Sequence, residues 1–117
     1  NKKIIGLSIA RKYPRGWDIV IECIKGLLPD VEEEMIESNT IFLDDYTGDG
    51  YGRENEEIIE TIKYSMINYG IPLDSTYTGK AFFGMRDYLK KNNLEGNKIL
   101  FIHTGGTPLF FDDFGRF

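Results

Sequence analysis

Apolar positions along this chain follow two rhythms, and the alternation between them predicts the fold. Residues 4–10 (IIGLSIA) form a short apolar run with one glycine and one serine, as in a strand buried on both faces of a parallel sheet. After the turn RKYPRG, Trp17, Val20, Ile21, Ile24, Leu27 and Leu28 recur at helical spacing until Pro29 stops them. Residues 30–39 are acidic and fit either a helical turn or a solvated loop, of which the loop is the expectation. Residues 40–44 (TIFLD) are a second strand, followed by the loop YTGDGYGRE. Asn55 then caps a helix whose first turn holds Glu56 and Glu57, where carboxylates favour the positive end of the dipole. Its expected buried stripe is Ile58, Ile59, Ile62, Met66 and Tyr69. Gly70 ends it, and Ile71-Pro72 forbids continuation. A third helix is expected over about residues 80–92, with Ala81, Phe82, Met85, Tyr88 and Leu89 inward. Residues 99–103 (ILFIH) read as a third strand, and Gly105-Gly106 turns the chain into a short helix with Leu109 and Phe110.

Strands alternating with helices imply an α/β layer around a mainly parallel sheet. Three strands make a thin sheet with an open edge, which points to a missing partner segment. The chain also begins with Asn1, not Met, and enters a strand almost at once. The expectation is therefore a piece of a longer protein.

Composition narrows the function classes. With 117 residues, 41% of them apolar, the chain suffices for one domain. A net charge of −5 disfavours nucleic acid and anionic membrane, since both need a basic patch. No apolar run approaches a membrane span, and no signal peptide is recognisable. The single Cys23 can make neither an internal disulfide nor a structural zinc site, so a cytoplasmic setting is expected.

Three glycine-bearing turns carry the candidate chemistry: residues 44–52 (DDYTGDGYG), 74–81 (DSTYTGKA) and 99–108 (ILFIHTGGTP). The first and third leave the carboxyl ends of predicted strands, where ligands sit in open α/β sheets. Glycines there expose backbone N–H groups and let a ligand approach closely, although ordinary tight turns would look the same. The first is not a dinucleotide fingerprint, because Arg53 stands where the third glycine belongs and Asp44, Asp45 and Asp49 would repel a pyrophosphate. His103 is the only histidine, and no GxSxG elbow accompanies it; a hydrogen-bonded structural role is expected. No metal site is expected, since Asp112 and Asp113 are adjacent rather than at ligand spacing, and Asp44-Asp45 suits loop fixing. Lys80 is expected to be solvated or to tie down a backbone carbonyl, not to act as a nucleophile. Tyr77 could stack on a flat ring or transfer a proton, or it could pack the helix entry; taken alone it serves either.

Taken together, IIGLSIAR, IFLDDYTGDGYGRENEEIIETI, GIPLDSTYTGKAFFGM and ILFIHTGGTPLFF resemble the C-terminal part of the 1-aminocyclopropane-1-carboxylate deaminase and D-cysteine desulfhydrase family. These are pyridoxal-phosphate enzymes of the tryptophan-synthase-β type. The resemblance implies that residues 1–117 belong to a doubly wound large domain, with helices on both faces of the sheet. It implies that Tyr77 lies against the cofactor ring and that Tyr51 is a second active-site tyrosine near the substrate. Thr104 resembles the residue beside the pyridine nitrogen, with Thr78 as its neighbour and Gly105 in the same cofactor-binding turn. The family's Schiff-base lysine and phosphate loop fall in an N-terminal portion outside this sequence, and Lys80 does not match that lysine. This segment alone is thus expected to be inactive.

The two branches of the family differ where this chain has its threonines. A carboxylate beside the ring nitrogen keeps it protonated and the electron sink deep. The deaminases proper resemble YEGK followed by HLGG; this chain has Thr78 and Thr104 instead. Two neutral hydroxyls suit α-proton removal and loss of a good leaving group. The resemblance therefore favours D-cysteine desulfhydrase-like elimination to pyruvate, ammonia and hydrogen sulfide, with 1-aminocyclopropane-1-carboxylate deamination as the alternative. A non-catalytic remnant or α/β binding module is the competing class, set against the intact Tyr51, Tyr77, Thr78 and Thr104. The partners implied are a small amino-acid substrate and a second copy in a homodimer of the complete enzyme. The aromatic tail Phe110, Phe111, Phe114 and Phe117 fits either burial against the remainder of the protein or a dimer contact, of which the first is the expectation.

Overall fold

A computed structural model describes residues 2–48 and 55–116. The elements run β1 (Ile4–Leu7), α1 (Arg15–Leu27), α2 (Glu33–Asn39), β2 (Thr40–Leu43), α3 (Glu56–Tyr69), α4 (Thr78–Lys91) and α5 (Thr107–Asp113), closing in a 3-10 turn over Phe114–Arg116. The class is α/β, as the pattern predicts. β1 and β2 pair in parallel, Ile4 opposite Thr40 through Leu7 opposite Leu43.

Helices pack on both faces of this ladder. Phe42 lies one residue before Leu43, the partner of Leu7, so Phe42 and Leu7 point to opposite faces. On the Phe42 face sits α1, with Trp17 and Phe42 ring centroids 6.0 Å apart. On the Leu7 face sits α4. There a Cβ added to Gly84 would come within 2.7 Å of the Tyr46 ring and 2.8 Å of Leu7, so only glycine lets the helix come this close. Neither strand is fully buried, against the expectation of burial on both faces. Two short strands leave much of each face without cover.

The densest packing lies in the second half. Ile58, Ile62, Leu73 and Phe110 form the core, with Ile59, Phe82 and Phe101 against it. Asn55 caps α3 as expected, its side-chain oxygen accepting the Ile58 N–H at 3.0 Å, and Gly70 closes the helix in the left-handed region at φ 66°.

Four expectations need correction. Residues 33–39 are helical, not loop; Ile36 is buried, and Lys25 pairs with Glu33 at 2.7 Å. The buried face of α3 holds Thr61 and Ser65, while Met66 and Tyr69 are exposed. The small polar residues are tolerated because Thr61 donates to the Glu57 carbonyl and Ser65 to that of Ile71. Tyr69 instead joins a surface cluster with Tyr64, whose ring carries the Arg86 guanidinium at 4.2 Å. In α4, Thr78, Gly79, Lys80 and Gly84 are the buried residues, and the predicted inward set is only half-buried. Residues 99–103 form no strand. Among the described residues β1–β2 is the only ladder, and Leu100 and Ile102 are 86% and 72% exposed. An apolar run becomes a strand only where a neighbour accepts its hydrogen bonds.

No helix among the described residues is long and apolar enough to cross a membrane.

Candidate active site: two turns joined at Asp74

The segment before α4 is organised by one carboxylate. Asp74 is fully buried. Its Oδ2 accepts the backbone N–H of Thr76 at 2.9 Å and of Tyr77 at 2.7 Å. Its Oδ1 accepts the Thr78 N–H at 3.0 Å and the Thr78 hydroxyl at 2.6 Å. Its carbonyl takes the Gly79 N–H at 2.8 Å. These are the donors that a helix start leaves without partners, so Asp74 caps α4 from outside it and places a negative charge at the positive end of the dipole. The cap also explains why α4 begins at Thr78 rather than at the expected Lys80.

The 103–106 turn lies alongside. His103 Nδ1 accepts the Gly105 N–H at 3.2 Å, so Nε2 carries the ring proton and donates to the Pro72 carbonyl at 2.9 Å. Gly106, at φ 83°, rests on the Asp74 carboxylate: a Cβ there would sit 2.3 Å from Oδ1. Only glycine satisfies both the backbone angle and the approach. Two contacts, His103 on Pro72 and Gly106 on Asp74, thus bracket Thr104 and Gly105 against the 72–78 segment. The structural role expected of His103 holds. Farther along, Asp113 accepts from the Ser75 hydroxyl at 2.6 Å and pairs with Arg116 at 2.9 Å, tying the end of α5 to the same turn.

The sequence-predicted residues take different positions in this frame. Tyr77 is half-buried at the N-cap of α4. Thr78 exposes only 1% of its surface; its hydroxyl donates to Asp74 Oδ1 and accepts the Asp74 N–H at 3.0 Å. Thr104 is exposed, and a Cβ added to Gly105 would meet nothing within 4 Å. Tyr51 and the glycines at 50 and 52 lie outside the described residues. Lys80 is not solvated: it is 0% exposed and donates from Nζ to the Thr47 carbonyl at 3.0 Å, the alternative role expected of it. Asp44 fixes a loop, as expected, by accepting the Tyr13 N–H at 2.8 Å. Phe110 packs into this chain's own core, contrary to the expectation for the tail, while Phe111 and Phe114 are exposed. Phe110 is at helical reach of a predicted short element, which is what allows it to turn inward. Phe117 lies outside the described residues.

Asp74 is the residue that organises these turns, and the candidate residues of the sequence do not include it. Its signal was an aspartate two residues before a chain N–H that it can accept, next to a helix start, which is the pattern of an Asx turn. A cavity of about 290 Å³ lies elsewhere, at the carboxyl end of β1, between Leu7, Ser8, Arg11, Val20 and Phe42. The Ser8 hydroxyl there is spent on the Arg11 carbonyl at 2.5 Å, which leaves the cavity no acid–base pair.

A helix-flanked parallel ladder with two turns locked side by side, one carrying an aromatic and the other an exposed hydroxyl, places the chain in the α/β class. No family model matches the chain. A protein of Pyrococcus furiosus that bears the provisional name 1-aminocyclopropane-1-carboxylate deaminase is 36% identical over 113 residues, covering 87% of this chain. The chain spans 34% of that protein's length. It belongs to the 1-aminocyclopropane-1-carboxylate deaminase and D-cysteine desulfhydrase family, to whose C-terminal part it corresponds.

Proposed function

We propose that this chain is the C-terminal share of a pyridoxal-phosphate lyase and forms the ring side of its active site, within a doubly wound large domain of the tryptophan-synthase-β type. The donor set fits one side of that cofactor. Thr104 offers an exposed hydroxyl to a ring nitrogen, Tyr77 an aromatic face, and Gly105 open space beside the turn. The two turns hold no arginine for the phosphate, the His103 ring is engaged by Pro72 and Gly105, and the Lys80 amine is bound to Thr47. The phosphate site and the lysine that carries the cofactor would therefore come from elsewhere in the protein.

When bound, pyridoxal phosphate supplies an electron sink for the bonds at the amino acid's α-carbon. This chain's residues would hold and orient it: Tyr77 would pack against the ring, Thr104 would donate a hydrogen bond to the ring nitrogen, and the phenols of Tyr77 and Tyr51 would carry protons or bind substrate.

The finer reading is D-cysteine desulfhydrase-like elimination, and one observation carries it. The carboxylate of these turns, Asp74, is buried and already accepts four hydrogen bonds. Its acceptor positions are filled within the turn, which leaves the neutral Thr104 as the exposed partner for the ring nitrogen. A neutral partner leaves the nitrogen unprotonated and the sink shallow, which suits expulsion of sulfide. The name of the Pyrococcus furiosus relative favours a second reading, deamination of 1-aminocyclopropane-1-carboxylate.

The test is to give the full-length protein D-cysteine and, separately, 1-aminocyclopropane-1-carboxylate. Sulfide and pyruvate in equal amounts from D-cysteine are expected. Ammonia from the cyclopropane substrate, with no sulfide from D-cysteine, selects the second reading. Full-length protein that binds no cofactor and turns over neither substrate defeats both.

A further inference from the structure

We propose that Asp74 is the positioning residue of this site: it locks the Thr78 hydroxyl and fixes the Tyr77 helix entry against the Thr104 turn, leaving Thr104 as the threonine that serves the ring nitrogen. The inference rests on the pyridoxal-phosphate reading above and goes beyond it, because neither Asp74 nor a division of labour between the threonines follows from family membership.

Proton accounting separates the two threonines. A hydroxyl has one proton. That of Thr78 points at Asp74 Oδ1, 2.6 Å away, and its oxygen already accepts the Asp74 N–H at 3.0 Å. Thr78 has nothing to donate to an unprotonated ring nitrogen, and it is buried. Thr104 is exposed, in a turn whose place is set by its neighbours. One of those neighbours is Gly106, seated on the same Oδ1. The other oxygen, Oδ2, holds the backbone N–H of Tyr77 at 2.7 Å. A single rigid carboxylate therefore sets the spacing between the aromatic and the hydroxyl. Replacing it by an amide would put an NH₂ group where an oxygen now accepts an N–H, whichever way the amide turns. Both turns would then lose their common reference. Misplacing groups by about 1 Å costs on the order of 100-fold in rate.

The experiment uses the full-length protein loaded with pyridoxal phosphate labelled with nitrogen-15 in the ring. The ring-nitrogen resonance is followed together with kcat and KM. Thr104→Val removes the hydrogen bond and gives the reference shift. Asp74→Asn is expected to move the resonance toward that reference and to lower kcat about 10- to 100-fold with a smaller change in KM. Thr78→Val is expected to lower the melting temperature and leave the resonance in place. Asp74→Asn that melts earlier with unchanged resonance and kcat would make Asp74 merely structural and overturn the proposal. So would Thr78→Val that shifts the resonance as Thr104→Val does, and this near-isosteric variant decides the matter even if Asp74→Asn fails to fold. Wild-type protein that takes up no labelled cofactor overturns the functional reading itself, before any variant is compared.

Discussion

The two halves of this molecule bury different things. In the first, the strands are only half-covered, and among the described residues the buried ones are few: Gly16, Ile21, Ile36 and Thr47. Its helices rest on a few apolar contacts, Ile21, Ile36 and Trp17 against Phe42, beside exposed pairs such as Lys25–Glu33. In the second, an apolar cluster sits beside a polar one. Ile58, Ile62, Leu73 and Phe110 pack together, while Asp74, Ser75, Thr78 and Lys80 are as deeply buried. Among the described residues no buried side-chain polar atom lacks a hydrogen-bond partner. Burying polar groups costs stability unless each is satisfied, and a satisfied network fixes geometry in a way that apolar contact alone does not. The half that carries Tyr77 and Thr104 is the half built to hold atoms at set distances.

The largest effect is expected where that contrast is sharpest. Ile62 is 0% exposed in the core, touching the start of α4. Ile62→Ala should cost about 2–5 kcal/mol, from lost burial and the cavity left behind. Leu28→Ala, at an exposed position after α1, should stay within about 0.5 kcal/mol. Urea unfolding of the full-length protein checks both. Equal costs at the two positions would erase the distinction between the halves.

Lys80 tests the polar side of the contrast. Its amine lies at 0% exposure and donates to the Thr47 carbonyl, which stitches α4 to the loop after β2. A lysine so engaged is shut away from an aldehyde in solution. The 117-residue chain, mixed with pyridoxal phosphate and reduced with borohydride, should therefore carry adducts on exposed lysines such as Lys2 and Lys98 but none on Lys80. An adduct mapped to Lys80 would show that the amine is accessible and would reopen its exclusion as the cofactor-bearing residue. In stability, Lys80→Ala should cost about 2–5 kcal/mol, since it removes a long buried stem as well as the hydrogen bond.

Much of this was legible in the chain, for local reasons. The Asn55 cap, the Gly70 stop and the boundaries of α1 depend on residues within a turn of each other, so the sequence carries them whole. The helix over residues 33–39 was not legible. Its acidic stretch shows little apolar rhythm, and it is held by Lys25 from another element. Residues 99–103 show the reverse failure: the apolar run is plain, but a strand is a property of two segments, and the pattern of one says nothing about its neighbour. At the site, the turns announced themselves through their glycines, whereas Asp74 did not. An aspartate in a turn is common, and its importance comes from Gly106, which lies 32 positions away and meets it only in the fold.

The smallest effect, and the one that probes the seam between the halves, is a pH dependence. Tyr46, just after β2, donates its hydroxyl to Asp87 of α4 at 2.8 Å. Burial, and then the hydrogen bond to the Asp87 carboxylate, push the Tyr46 phenol up to about 12. The folded state thus holds this proton more tightly than the unfolded chain, in which a phenol titrates near 10. The resulting stability is complete below pH 10 and is lost as pH rises toward 12. On the acid side, the hydrogen bond from Lys91, opposed in part by burial, holds Asp87 below its ordinary value of 3.8, so its contribution is present above that pH and fades as pH falls through the folded value. Urea midpoints measured across both limits should fall at each end. Tyr46→Phe should make the alkaline fall smaller, the remainder coming from Tyr69 and Lys91, which hydrogen bonds to Tyr64 and Asp87 also raise. It should leave most of the acid fall, because Lys91 still pairs with Asp87 at 2.6 Å. An alkaline fall undiminished in Tyr46→Phe would place its origin in those other groups and leave the seam between β2 and α4 to apolar contact, chiefly Tyr46 and Leu7 against Gly84.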